Sequence, residues 1–153
     1  MSQLIKHGRV VNDPFLAVAD GVLLPDAPVL VSRNRWREER DSLRRHGHPV
    51  GVRLANTDSV AELADDLPQL ALVALEFPAF PDGRAYSQAR LLRDRFGFGG
   101  ELRATGAVVL DQLAEMTRCG FDALEISDGV ALESVHAILQ RVSVDYQPWL
   151  RTA

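Results

Sequence analysis

Five short apolar runs, each followed by a stretch of helical spacing, constrain this chain more than any other feature. The runs are Val29–Val31, Val50–Leu54, Leu70–Phe77, Glu101–Thr105 and Ala123–Ser127. Strand-like and helix-like segments alternating at this interval form βα units, whose crossovers leave neighbouring strands parallel. The expected fold is therefore α/β: about five βα units in a mainly parallel sheet. Such units number too few to close an eight-stranded barrel, which takes about 250 residues. Either an open sheet or a barrel fragment completed by a second copy, as a homodimer, fits this count, and the open sheet is the working expectation.

The intervening segments carry their own signals. Ser32 is a good N-cap for a helix over 33–46, in which Trp36 and Leu43 share a face with Arg40 between them. Gly47 and Pro49 end it. Asp58 is expected to cap a helix through Leu63. In 82–96, Ala85, Ala89, Leu92 and Phe96 follow helical spacing, and in 107–119 Val109, Leu113 and Met116 do the same. A last helix is expected over 132–142. Ahead of these units, Leu4 to Asn12 reads as a β-hairpin turning near His7-Gly8, and Gly21 to Leu24 as an extended piece. The organisation is one domain over 1–153: hairpin and extended segment 1–25, βα repeats 26–142, and a packed tail 143–153.

Four of the strands each hold one charged residue near the C-terminal end, with alternating sign: Arg53, Glu76, Arg103 and Glu125. Strands covered by helices on both faces should be apolar, and an unpaired buried charge is costly. Open α/β sheets and barrels bind ligands at these strand ends. The quartet marks either a structural ion-pair network or a polar site, and its ordered alternation is simplest if the strands lie side by side in chain order, as in a barrel fragment.

Composition removes several function classes. A net charge of -4 and a pI near 5.5 argue against a nucleic-acid partner. The apolar stretch from Val10 to Leu24 is broken by Asp13, Pro14 and Asp20, so no membrane span is expected, and without a signal-peptide pattern the chain reads as cytoplasmic. Cys119 is the single cysteine, which leaves no iron–sulfur cluster, no four-cysteine zinc site and no dithiol relay within one chain. Gly97-Phe-Gly-Gly follows a helix and precedes a strand, the wrong place for a Rossmann pyrophosphate loop. Lys6 is the only lysine and lies in the N-terminal segment, away from any core-strand Schiff base. His46 and His48 have no carboxylate close in sequence and read as helix-end residues. Cys119 before Gly120 reads as a buried structural thiol, and His136 as a surface or packing residue.

The segment from Leu75 to Ala104, with Leu75-Glu-Phe-Pro-Ala-Phe-Pro-Asp-Gly-Arg-Ala-Tyr-Ser-Gln-Ala-Arg at its start, is too particular to be generic. With Asp111-Gln-Leu and Arg118-Cys-Gly-Phe-Asp-Ala it resembles a bacterial domain-of-unknown-function family, number nine-three-four. Members of that family carry the label of oxidoreductases of sulfite reduction, because their genes lie beside assimilatory sulfite reductase. The opening Leu4-Ile-Lys-His-Gly-Arg-Val-Val and closing Tyr146-Gln-Pro are similar too. The family signature falls on Phe77, Pro78, Phe80, Asp82, Gly83, Arg84, Tyr86, Ser87, Ala89 and Arg90, and again on Gly100, Glu101, Arg103 and Ala104. Ala107 stands where the family commonly has aspartate, which puts any activity of that aspartate in doubt here.

The resemblance implies sulfur assimilation but supplies no mechanism, and the missing redox motifs favour an accessory role. The expected partners are sulfite reductase or its electron donor, or a small oxyanion. Asp82, Arg84 and Ser87 at a helix start, with Arg103 and Arg53 on the strands, are the ligand-binding candidates. Glu76 and Glu125 are the catalytic candidates, orienting the arginines or acting as acid and base. Three alternatives stay open: a small enzyme acting on an acidic metabolite, an oxidoreductase with a flavin site that follows no motif, and a structural dimer with an internal ion network.

Overall fold

The structure, a computed structural model, describes residues 2–78, 83–127 and 132–145. It opens with strands β1 (Ser2–Lys6) and β2 (Arg9–Val11), paired antiparallel. His7 and Gly8 both take positive φ, 52° and 77°, the conformation that lets a two-residue turn match the twist of the strands. The expected hairpin is present.

Six further strands follow: β3 (Leu16–Ala17), β4 (Val29–Ser32), β5 (Val50–Leu54), β6 (Leu72–Phe77), β7 (Glu101–Gly106) and β8 (Ala123–Ser127). They lie parallel and in chain order from β3 to β8. β1 then joins antiparallel to β8, with β2 outside it. The result is one mixed, eight-stranded sheet curled as a half-barrel. Two expectations are corrected here. The sheet is mixed because the hairpin adds to its edge, and the curled chain-order arrangement replaces the open sheet. A third correction concerns the edge strand, which forms at Leu16–Ala17, whereas Gly21 to Leu24 is turn and coil.

Helices α1 (Arg33–Arg44), α2 (Arg84–Arg90), α3 (Leu113–Arg118) and α4 (Leu132–Asp145) connect or follow the strands. The Ser32 hydroxyl accepts the Arg35 backbone N–H at 3.1 Å, the capping contact its position promised. Ala85, Ala89 and Leu92 are buried and Phe96 packs partly against the core, as their spacing required; a wide turn over Leu91–Arg95 continues α2. Two predicted helices change form. The segment Val60–Gln69 is wound in tight 3-10 turns, and Asp58 accepts the Ala55 N–H at 2.8 Å without capping it. Residues 107–109 are not helical, so Val108 turns inward and Val109 outward, while Leu113 and Met116 hold the inner stripe. Gly106, at φ 82°, redirects the chain there.

Strand alternation sorts the sheet into two faces. Val29, Val31, Val52, Leu54, Val73, Leu75, Leu102, Ala104, Leu124 and Ile126 form the main core with Trp36, Leu43, Leu92, Met116 and other helix residues. Each buried Val, Leu, Ile or Met side chain among them contributes about 1.5–3 kcal/mol on burial. On the second face a small cluster, Leu30, Leu72 and Ala74, packs against Phe15. That second face carries the charged residues.

Candidate functional site

Register brings the charged quartet onto the second face, on four adjacent strands. Arg53 pairs in register with Ser32 and Ala74, Glu76 with Thr105, Arg103 with Ala74 and Ala123, and Glu125 with Leu4. Their environments diverge sharply. Arg53 and Glu76 are exposed, Glu125 is half-buried and engaged with a neighbour, and Arg103 is 1% exposed. Among the described residues Arg53 and Glu76 make no ion pair.

Arg103 is tied to carboxylates that sequence spacing did not single out. Its Nε donates to Glu101 Oε2 at 2.8 Å and its Nη2 reaches the same oxygen at 2.7 Å. Its Nη1 and Nη2 donate to Asp13 Oδ2 and Oδ1 at 2.8 and 3.1 Å. Lys6 meets Glu101 Oε1 at 2.9 Å, and the Phe15 ring lies 5.9 Å from the guanidinium carbon. Burial by itself lowers the Arg103 pKa, but bonds to Asp13 and Glu101 outweigh it and the net shift is upward. The glutamates expected as its partners, Glu76 and Glu125, are not the ones it binds. Asp13 is ninety residues distant in the chain, so no local pattern exposed it.

The expected anion site at the start of α2 is only partly in view. Asp82 lies outside the described residues. Arg84 and Ser87 are exposed on a helix of seven residues, and Arg84 is already engaged with a neighbour. Beneath them Gln88 donates to the carbonyls of Ala55 and Asp58, both at 2.9 Å, fastening α2 to the end of β5. Tyr86 sits edge-on to Phe77 with ring centres 5.1 Å apart, and burial followed by the nearby Cys119 and Glu115 pushes its phenol up to about 12.

The bacterial DUF934 pattern, a family of unknown function, matches residues 51–153. The chain belongs to this family. The matched region begins within β5 and so takes in all four charged strands, while the hairpin and the Asp13 segment precede it. No curated protein matches the chain.

This DUF934 member has its two described clefts at the opposite end of the sheet. One, of about 520 Å³, lies between the hairpin turn and helices α3 and α4, lined by His7, Arg9, Phe121, Asp122, His136 and Leu139 among others. The other, of about 440 Å³, is walled by Arg90, Arg93, Gly97, Gly99, Cys119 and Asp122. Both sit where β7 and β8 begin, not where they end. Arg93 is used structurally: it donates to the carbonyls of Phe98, Gly100 and Gly120 at 2.8–3.0 Å and reaches Asp122 at 3.3 Å. Burial shifts both partners towards their neutral forms, Arg93 downward and Asp122 upward, more than their attraction offsets.

Cys119, His46 and His48 each have near neighbours in the DUF934 chain. Cys119 is buried, and desolvation raises its pKa, the reverse of an activated thiol. His46 Nε2 lies 2.8 Å from the Ala27 carbonyl, and His48 Nε2 lies 2.7 Å from Asp26. Among the described residues no group of three or more His, Cys, Asp or Glu is placed to hold a metal ion. No described helix is long and apolar enough to cross a membrane.

Proposed function

We propose that this protein is an accessory factor of assimilatory sulfite reduction that works in the cytoplasm and docks a redox partner, the reductase or its electron donor. The docking face is the second face of the sheet at the C-terminal ends of its strands. One observation carries the reading: Arg53 and Glu76 stand exposed on adjacent strands, without an ion pair among the described residues, on a face whose described covering is the Asp13–Phe15 segment. Charges of both signs held on a rigid sheet suit orientation of a protein partner and speed its encounter. The single cysteine disfavours an iron–sulfur cluster within one chain, which supports a reading in which the partner carries the redox centre.

Pull-down of the sulfite reductase from the same cell tests this. The expected result is retention at low salt that weakens as salt rises and is lost in Arg53→Glu and Glu76→Arg variants. Equal retention by wild type and both variants removes this face from the reading, and no retention at low salt removes the partner. A second reading, binding of a small oxyanion, is favoured by the fork with which Arg103 holds the two carboxylate oxygens of Asp13 on the same face, a geometry that also suits an oxyanion. Thermal shift with sulfite, sulfate and phosphate tests it, and the absence of stabilisation by any anion rejects it.

A further inference from the structure

The second face of the sheet buries the guanidinium of Arg103. Lys6 on β1 and Arg103 on β7 share a single carboxylate, Glu101, at 2.7–2.9 Å. Lys6 is 32% exposed and keeps its charge at water, so the cation that must be matched out of water is the Arg103 guanidinium, 1% exposed. Glu101 takes the Nε–Nη2 edge of that cation, which leaves the donors of its Nη1–Nη2 edge in need of a second acceptor, since buried donors without partners are costly. The outer edge of Arg103, its Nη1 and Nη2, faces that demand with two parallel donors, the geometry that reads two oxygens of a carboxylate, sulfate or phosphate.

Asp13 meets the demand, but it is not built like Glu101. It belongs to the irregular stretch between β2 and β3, with Asn12 and Pro14 exposed on either side. Its own side chain is 38% exposed, against 11% for Glu101. Its local support is a hydrogen bond from the Phe15 N–H at 3.0 Å, and Phe15 follows it onto the face over Leu30, Leu72 and Ala74. A carboxylate on a short strap thus occupies a site whose other members are all on strands.

We infer that Arg103, with Lys6 and Glu101, is a binding site for a small two-oxygen anion, and that Asp13 is an internal carboxylate occupying it until such an anion displaces it. The inference rests on the oxyanion reading and deepens it by adding Lys6 and Glu101 to Arg103 and giving Asp13 the part of an internal competitor. A tethered competitor acts at an effective concentration on the order of millimolar, so it weakens binding of a free anion in the wild type without abolishing it. Displacement frees the strap and uncovers the apolar cluster under Phe15, coupling anion binding to the shape of the face that would meet a partner.

Calorimetry and thermal shift on wild type, Asp13→Asn and Asp13→Ala, with sodium sulfate, sodium sulfite or sodium acetate against sodium chloride at equal ionic strength, test this. Both variants are expected to bind sulfate, sulfite or acetate at least about tenfold more tightly than wild type, as removal of a tethered competitor requires. The anion should also restore part of the thermal stability that the substitution removes. Tighter binding of sulfate and sulfite than of acetate assigns the site to oxyanions, and the reverse assigns it to carboxylates. In the folded Asp13→Asn protein the Arg103 Nε–H NMR signal should move on titration. Equal anion affinity in wild type and variants, with the Arg103 signal still, overturns the inference while leaving an oxyanion site elsewhere. No binding beyond chloride in any of the three proteins rejects both.

Discussion

Trp36 donates its indole N–H to Asp66 at 3.0 Å, joining α1 to the 3-10 segment Val60–Gln69 in the buried layer under the sheet. The same carboxylate accepts Arg44 at 3.0 Å and meets Arg40 at 3.3 Å. Two half-exposed arginines and a buried indole converge on one buried anion, so the carboxylate is the member that cannot be removed cheaply. Asp66→Ala is expected to cost about 3 kcal/mol, the range for breaking a buried charged network. Trp36→Phe, which keeps the ring packing but removes one donor, should cost about 1–2 kcal/mol. Urea unfolding monitored by far-ultraviolet dichroism measures both, and a larger loss for Trp36→Phe would reverse this ranking.

Gly106 is held by geometry at the end of β7. It lies at φ 82°, and a Cβ there would stand 2.4 Å from the Phe77 carbonyl oxygen, which accepts the Ala107 N–H at 3.0 Å. Gly106→Ala combines left-handed strain with a backbone clash and is expected to destabilise by more than about 2 kcal/mol. Gly8→Ala supplies the control: its φ is also positive, at 77°, but a Cβ meets nothing within 4 Å. Its cost should stay near 1 kcal/mol. Denaturation midpoints of the two variants decide the comparison, and a larger loss at Gly8 would contradict it.

Asp122 gives the molecule an unusual acid response. Burial raises its pKa above the ordinary 3.8, although the Leu102 N–H at 2.7 Å and Arg93 pull the other way. The folded state then holds this proton more tightly than the unfolded chain does. Its contribution to stability is therefore greatest below the unfolded value and declines as pH rises through the folded one. Most paired carboxylates do the opposite. Relative to wild type, Asp122→Asn should gain stability as pH rises above the ordinary aspartate value, because the variant lacks the proton that wild type must release there. Chemical denaturation at several pH values measures the difference, and a gap that narrows in the other direction would refute the raised pKa.

Much of the fold was written in local pattern. The five runs that read as strands are strands, Ser32 caps α1, and the His7-Gly8 turn closes the hairpin, because each depends on neighbours within a few residues. Where reading failed, a distant contact or a special backbone angle had intervened. Val109 fits a helical stripe on paper, yet the positive φ of Gly106 sends Val108 inward instead. The sequence predicts a helix capped by Asp58 and running through Leu63, but Asp58 turns back to the Ala55 N–H and the segment Val60–Gln69 winds in 3-10 turns. The clefts at the N-terminal ends of β7 and β8 draw on segments that carry the family resemblance, Arg90, Gly100 and Arg118–Asp122, but the His7 turn, Gly97–Gly100 and Gly120 meet only when the strands align.

The sequence by itself determined that Arg53, Glu76, Arg103 and Glu125 would interrupt apolar strands, because side-chain alternation and strand propensity are local. It set Arg103 near a C-terminal end, whereas Arg103 is the third of six residues in β7 and level with the start of β8. Only the tertiary structure decided what each charge became. Parallel register set all four on one face, and the curl of the sheet with the Asp13–Phe15 strap buried Arg103 while leaving Arg53 and Glu76 exposed. The physical reason is the cost of an unpaired charge out of water. It is settled by whichever carboxylate the folded chain can bring within about 3 Å, and for Arg103 one of the two came from ninety residues away.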